Sequence, residues 1–350
     1  MERKKTRVIQ VGDKLIGGNN PITVQSMTNT LTKDIQSTVN QIHRLETAGC
    51  DIIRMAISDF EDAKAIKDIK KSINIPIIAD IQYDYRLAME SIKYGIDGLR
   101  INPGNIGSMN KVKEITKACK EKNIPIRIGV NSGSIKKEFL DQYNGVNENS
   151  MVYSALEQIR LLEELDFNDI KISLKASNVQ LTIKAYSKMS QVCDYPLHLG
   201  VTEAGPTWRG TIKSSVGIGT LLAMGIGDTI RISLTGDPVE EVKVGREILK
   251  SLGLLNEGLE IISCPTCGRT KIDLIEIVEK AEKKLENINK HITVAIMGCP
   301  VNGPGEAKEA DIGIAGGNGE GLIFVKGKIL KKVKEEDLLD ELVNEIEKLD

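Results

Sequence analysis

Residues 23–252 alternate short apolar runs with amphipathic stretches, and the alternation repeats eight times. The apolar runs are 23–27, 51–57, 76–81, 98–102, 125–131, 169–176, 196–202 and 229–234. Residues 35–48, 63–73, 85–94, 109–122, 150–165 and 181–192 lie between them with helical spacing, and 238–252 follows the last run. Several units share one design, in which an Ile-Pro or Tyr-Pro step opens the strand, as at Ile75-Pro76, Ile124-Pro125 and Tyr195-Pro196. Proline disfavours helix in the residue before it, so each step marks a switch to extended chain. Eight βα units of this length predict a TIM barrel; an open doubly wound sheet rarely needs so many regular units.

Strand parity then says where the polar residues go, because alternate residues share a face. Arg127, Gly129 and Asn131 oppose Ile126, Ile128 and Val130. Lys171, Ser173 and Lys175 oppose Ile172 and Leu174, and Arg231 and Ser233 oppose Ile230 and Ile232. The apolar sets belong against the surrounding helices, which puts the polar sets inside. Arg54 and Arg100 extend the pattern to the second and fourth runs. Five cations, Arg54, Arg100, Arg127, Lys175 and Arg231, are therefore expected at the C-terminal mouth, where barrel chemistry sits. Internal ion pairs with Asp80 and Glu203 would leave most of this charge unbalanced, so an anionic ligand is expected. Guanidinium forks match phosphate oxygens bidentately. The stretch Asn102-Pro103-Gly104-Asn105-Ile106-Gly107 follows the fourth run and offers further backbone N–H groups. Glu203, closing the seventh run, should stay ionised among cations and suits a substrate hydroxyl or a proton exchange. The segment 205–211, which holds the single Trp between glycines, reads as a lid over the mouth or a plain surface loop.

After residue 252 the rhythm changes, with a boundary near 256–258. Strands at 259–263, 292–297, 312–315 and 322–329 and helices at 271–285 and 336–348 predict a compact α+β module. The division is 1–255 for the barrel and 256–350 for the module. The stretch 313–321 reads as a turn-rich loop without a phosphate role, and the charged tail from Lys326 as a solvated helix face.

Half of the six cysteines lie in this module, in Cys264-Pro265-Thr266-Cys267 and at Cys299 within Gly298-Cys299-Pro300. A C-x-x-C turn aims two thiolates at one centre, and the second segment adds a third sulfur. The fourth ligand is open: Glu306 would complete an iron–sulfur cluster, His291 a zinc site, and dithiol redox chemistry needs neither. Cys50, Cys119 and Cys193 each fall late in a predicted helix among apolar neighbours and read as buried structural residues. The net charge of −2 excludes a general nucleic-acid binder. No run approaches the roughly 18–20 apolar residues that span a bilayer, and the charged start, 1–7, leads into no secretory apolar segment. The expected compartment is the cytoplasm.

The spacing of Cys264, Cys267, Cys299 and Glu306, with Asn302-Gly303-Pro304-Gly305-Glu306-Ala307, resembles the (E)-4-hydroxy-3-methylbut-2-enyl diphosphate synthase family. The resemblance covers nearly the whole chain, including Gln25-Ser26-Met27-Thr28-Asn29-Thr30, Leu99-Arg100-Ile101-Asn102, Pro125-Ile126-Arg127-Ile128-Gly129-Val130-Asn131 and Gly200-Val201-Thr202-Glu203-Ala204-Gly205. It is similar to the shorter, two-domain bacterial form. The resemblance implies reductive opening of 2-C-methyl-D-erythritol 2,4-cyclodiphosphate, with a 4Fe–4S cluster on Cys264, Cys267, Cys299 and Glu306 and flavodoxin or ferredoxin as donor. It carries active-site roles onto Arg54, Arg100, Arg127, Asn131, Lys175, Glu203, Arg231 and Ser233. One position departs from the family: Gln82 stands where a titratable His is usual. A zinc-clipped phosphate-sugar lyase or aldolase and a cluster-bearing redox carrier are the rival readings; the cationic mouth disfavours the carrier.

The eighth helix returns the chain to the N-terminal face of the barrel, opposite the mouth. The connection 251–259 reaches at most about 30 Å, too little to carry the module comfortably around to its own mouth. A head-to-tail homodimer, in which the module of one chain caps the barrel of the other, is expected.

Overall fold

The computed structural model of the chain describes residues 2–102, 106, 108–285, 288, 290–301 and 307–349. These fall into two compact units, Met1–Leu255 and Asn256–Asp350. The first opens with a hairpin, β1 (Ile9–Val11) and β2 (Lys14–Ile16), paired antiparallel. The barrel strands follow: β3 (Thr23–Met27), β4 (Ile52–Ala56), β5 (Ile77–Asp80), β6 (Gly98–Ile101), β7 (Ile126–Asn131), β8 (Ile170–Lys175), β9 (His198–Leu199) and β10 (Thr229–Ile230). They pair in parallel in the order β8-β7-β6-β5-β4-β3-β10-β9. A parallel bridge between Ile172 and Leu197, in the segment leading to β9, closes the ring.

The helices are α1 (Ile35–Thr47), α2 (Phe60–Lys71), α3 (Tyr85–Tyr94), α4 (Met109–Glu121), α5 (Lys137–Gln142), α6 (Glu148–Glu163), α7 (Val179–Val192), α8 (Thr207–Ala223) and α9 (Pro238–Ser251). Asp34, Asp59, Asp84, Asn178 and Asp237 cap five of them by accepting first-turn backbone N–H groups. Each cap fixes where the chain turns from a strand end into its helix. The outward strand residues, such as Ile53, Met55, Leu99, Ile128 and Leu174, share one core with Ile42, Ile66, Ile115 and Leu162 from the helices. Each such side chain contributes about 1.5–3 kcal/mol on burial. At the other end of the barrel, Ile9, Val11 and Ile16 of the hairpin form a small apolar cluster with Ile52 and Ile78. The hairpin plugs that end, a feature the repeat pattern did not contain.

The segment 205–211, read from sequence as a lid or a plain surface loop, is the run into α8, with Pro206 as its N-cap and Thr207 its first residue. Three glycines and several β-branched residues hide this helix from propensity. Packing requires two of those glycines: a Cβ on Gly210 would lie 2.6 Å from Leu234 Cδ2, and one on Gly217 2.8 Å from Val201 Cγ2. Cys119 lies late in α4 and is buried, as expected. Cys50 is buried in the turn between α1 and β4, and Cys193 is the partly exposed C-cap of α7, so both lie just outside the helices expected to hold them.

The second unit contains β11 (Glu260–Ser263), α10 (Leu274–Leu285), β12 (Thr293–Met297), β13 (Ile312–Gly316), β14 (Glu320–Val325), β15 (Lys328–Lys334) and α11 (Leu338–Lys348). Its sheet runs β11-β12-β13-β14-β15, parallel as far as β13 and antiparallel beyond. Leu274, Ala281 and Leu285 of α10 and Leu338, Leu342 and Ile346 of α11 share a core with Val294, Ile296, Ile312, Ile314 and Ile323. The single strand expected at 322–329 is two. Lys326 and Gly327 adopt φ of 47° and 72°, the pair of positive values that a two-residue type I′ hairpin turn needs. The charged stretch from Lys326 therefore begins as edge strand β15, whose lysines discourage pairing with another chain, and becomes helix only at Leu338. The loop expected at 313–321 shrinks likewise, because 313–316 belong to β13.

Candidate functional site

The strand parity places the expected cations inside the barrel. Arg54 is 7% exposed, Arg127 4% and Lys175 6%, and Arg100 and Arg231 are half-buried at the rim. Asp80, at the end of β5, is the carboxylate among them: Arg100 Nη1 donates to Oδ1 at 2.8 Å, and Arg54 Nε lies 3.4 Å from Oδ2. Arg54 also turns Nε and Nη2 toward the Met27 thioether, at 3.2 and 2.9 Å. The second carboxylate is not Glu203, as the sequence suggested, but Glu241 on α9. Its Oε1 accepts the Leu234 backbone N–H at 2.8 Å and its Oε2 stands 4.0 Å from Arg231 Nη2. The sequence hid this role, because Glu240 and Glu241 both read as first-turn charges on the helix and only its register decides which faces inward.

Among the described residues, two inward carboxylates do not balance this charge. Burial, followed by the like charges of Arg231, Arg127 and Arg100, pushes the Arg54 guanidinium well below its usual value. Burial and Arg100 lower Arg127 to about 9. Burial, with Arg127, Arg231 and Arg54, presses Lys175 well down. Burial alone would raise Asp80, yet Arg54, Arg100 and Arg127 hold it below the ordinary carboxylate range. Among the described residues, Arg100 Nε, Arg127 Nε and Nη1, and Arg231 Nε find no hydrogen-bond partner. Buried donors left open beside mutually repelling charges suit a multiply charged anion. Gly200 on the inner face makes room for Lys175: a Cβ there would lie 2.5 Å from its Nζ.

The remaining expected residues surround the opening. Glu203 is exposed beyond β9 with φ of 52°, a left-handed conformation uncommon outside glycine and asparagine. Asn131 ends β7 half-buried and caps the short turn Ser132–Ser134, its backbone N–H donating to Ser134 Oγ at 3.0 Å. Ser233 is half-buried beyond β10, and Gln82 is exposed after β5. Asn102 is buried at the end of β6, whereas residues 103–105 and 107 of the expected phosphate loop lie outside the described residues.

In the second unit β11 and β12 run parallel, with Ser263 in register with Ile296. Cys264 and Cys299 therefore leave neighbouring strands at the same end of the sheet. The Gly298 N–H points at Cys264 Sγ, 3.3 Å away, and Lys271 N–H donates to Gly298 O at 2.9 Å. Cys299 is 4% exposed. Cys267 is exposed, and hydrogen bonds from the Arg269 backbone and side chain hold its thiol below the usual value, toward the thiolate a metal prefers. Among the described residues no three His, Cys, Asp or Glu side chains close on one point, and Glu306 lies outside them. Three soft sulfur donors delivered to one sheet end fit an iron–sulfur centre in donor chemistry.

Among the described residues no helix is long and apolar enough to cross a membrane. A family model described as the GcpE TIM-barrel domain matches residues 6–246, and one described as the GcpE protein C-terminal domain matches 260–348. A protein of Clostridium perfringens named 4-hydroxy-3-methylbut-2-en-1-yl diphosphate synthase (flavodoxin) is 63% identical over 347 residues, 99% of each chain. One of the same name from Caldanaerobacter subterraneus is 64% identical, covering 99% of this chain and 98% of its own. Among solved structures, dihydropteroate synthase from Stenotrophomonas maltophilia superposes with a TM-score of 0.52 at 12% identity, covering 70% of this chain and 97% of that one. At that identity the likeness extends to the barrel fold alone. With both of its units matched end to end, the chain belongs to the GcpE family.

Proposed function

We propose that the chain opens and dehydrates 2-C-methyl-D-erythritol 2,4-cyclodiphosphate by two-electron reduction, giving (E)-4-hydroxy-3-methylbut-2-enyl diphosphate for isoprenoid biosynthesis in the cytoplasm. The observation that carries this reading is the set of buried cations at the mouth, faced among the described residues only by Asp80 and Glu241. Arg54, Arg100, Arg127 and Arg231 grip the two phosphates. Lys175 stands beside the oxygen that leaves carbon, stabilising its growing charge in a site where water is scarce. Asp80 holds Arg54 and Arg100 in place before substrate arrives, which lowers the reorganisation needed during reaction. Asn131 and Ser233 orient the substrate's polar groups at the rim. Glu203 exchanges a proton with a substrate hydroxyl or with the departing water. When bound, a 4Fe–4S cluster on Cys264, Cys267, Cys299 and Glu306 supplies the electrons, drawn from reduced flavodoxin or ferredoxin. An anaerobic assay with reduced flavodoxin, followed by 31P NMR, tests the reading. Loss of the cyclic diphosphate signals in favour of a linear allylic diphosphate is expected; unchanged signals with iron-loaded protein would refute it.

Two further results follow. Gly200→Ala places a methyl group 2.5 Å from Lys175 Nζ and 2.8 Å from the Arg231 carbonyl. Overpacking of this kind costs about 1–3 kcal/mol of stability, and the displaced ammonium should lower kcat/KM by about tenfold or more. Thermal melts and steady-state kinetics read both effects; unchanged kinetics would remove Lys175 from the reacting centre. The second concerns assembly. The connection between α9 and β11, residues 252–259, leaves the N-terminal side of the barrel, so the proposed assembly is a head-to-tail homodimer in which each module caps the partner's mouth. Mixing Glu203→Gln and Cys264→Ser chains should restore about a quarter of wild-type activity with random exchange, since one site of each mixed dimer regains both intact parts. Heterodimers without any activity would mean that each chain caps itself.

A further inference from the structure

Beneath the mouth lies a second polar layer. Thr23 of β3 is in register with Thr229 of β10, and Thr229 with His198 of β9; Lys171 of β8 is in register with Arg127 of β7. Lys171 is 2% exposed, and its Nζ has no hydrogen-bond partner among the described residues. Neither does Thr23 Oγ1, His198 Nε2 or either amide atom of Gln25. An ammonium here would face Arg127 from β7 and Arg54 from β4, with Lys175 further along β8. His198 pairs Nδ1 with the Thr229 hydroxyl, and burial followed by the surrounding cations keeps it neutral.

Among the described residues, no carboxylate near Lys171 is free to pair with it. Asp228, just before β10, takes the Thr6 hydroxyl at 2.9 Å, the Leu197 N–H at 2.8 Å and Arg3 at 3.3 Å. Asp80 is engaged by Arg54 and Arg100. Burial, then Arg127, lowers the Lys171 ammonium to about 7, against the opposing pull of Asp228. A buried amine with cations above it and no partner of its own is poised to change charge when the balance overhead changes. Opening a cyclic diphosphate produces a linear one with an additional negative charge, which is such a change.

We propose that Lys171 is the proton-loading residue of the diphosphate site. When a diphosphate anion settles on the mouth, the Lys171 amine takes a proton from solvent through its nitrogen lone pair. The resulting ammonium adds a cation beneath the anion, and no electrons move. The idea rests on the mouth being a diphosphate site, as proposed above. The sign follows from the negative charge: it favours the protonated amine, so uptake is largest above about pH 7, where the free residue is mostly neutral, and fades below about pH 6.

Calorimetric titration of the full-length, anaerobically prepared chain with P1,P2-dimethyl diphosphate tests this, in two buffers of different ionisation enthalpy. The probe has no group that titrates near neutrality, so the buffer difference counts protons taken by the protein. Wild type should take up about half a proton or more per bound probe near pH 8. Lys171→Arg, which stays charged, and Lys171→Met should both lose most of that uptake, and Lys171→Arg should still bind. Binding without uptake in wild type, or uptake unchanged in Lys171→Arg, overturns the proposal. Absence of any binding to wild type would instead overturn the diphosphate reading itself, and this proposal with it.

Discussion

Replacing Cys264, Cys267 or Cys299 with serine should each remove bound iron and reduce turnover to background, while leaving diphosphate binding by the barrel intact. The expectation follows from ligand chemistry. A thiolate forms readily near neutral pH and binds iron as a soft donor; a serine hydroxyl stays protonated and is hard. The three sulfurs have distinct settings but share one sheet end. Cys264 receives the Gly298 N–H, Cys299 is buried beyond β12, and Cys267 is held toward its thiolate by Arg269. Each serine variant keeps these packing positions, so the fold of the second unit should survive. Iron and sulfide analysis with anaerobic kinetics checks the result. Full iron and activity in any one of the three would strike that residue from the ligand set.

Arg127→Met should lower kcat/KM by about 30- to 1000-fold, the equivalent of about 2–4 kcal/mol for losing one preorganised electrostatic group. The same change should make the substrate-free protein more stable. Arg127 is buried, beside Arg100 and Arg231, and its Nε and Nη1 are unpartnered among the described residues. Its folded value, about 9, lies below the unfolded one, so near neutrality the charged form carries a penalty relieved only as pH rises past 9. Methionine fills much of the volume without that charge. Higher thermal stability with crippled kinetics would mark Arg127 as a residue kept for its ligand, not for the fold. A destabilised protein with normal kinetics would mark it as structural.

Much of this was legible in the chain. Period-two alternation in 125–131 and 169–176 assigned Arg127 and Lys175 to the interior, because a one-residue slip would have buried charge against the helices. The repeat pattern missed what lies outside local periodicity. Helix α8 was hidden because Gly210 and Gly217 answer to Leu234 and Val201, distant in sequence, and not to helix propensity. The β14–β15 hairpin turns on Lys326-Gly327, a pair less telling than Asn-Gly, inside what read as one strand. Glu241 could not be told from Glu240 without the register of α9 on β10. The plug of the barrel was invisible for a related reason: strands as short as β1 and β2 leave almost no periodic signal.

The central claim is that the cationic interior of the barrel holds the diphosphate on which the chemistry is done. A crystal structure of the full-length protein with the cyclic diphosphate tests it most directly. Both phosphates should lie within hydrogen-bond reach of guanidinium groups among Arg54, Arg100, Arg127 and Arg231, with Lys175 Nζ near an ester oxygen. Phosphates bound outside the barrel mouth, with these five side chains left as they stand without ligand, would contradict the account.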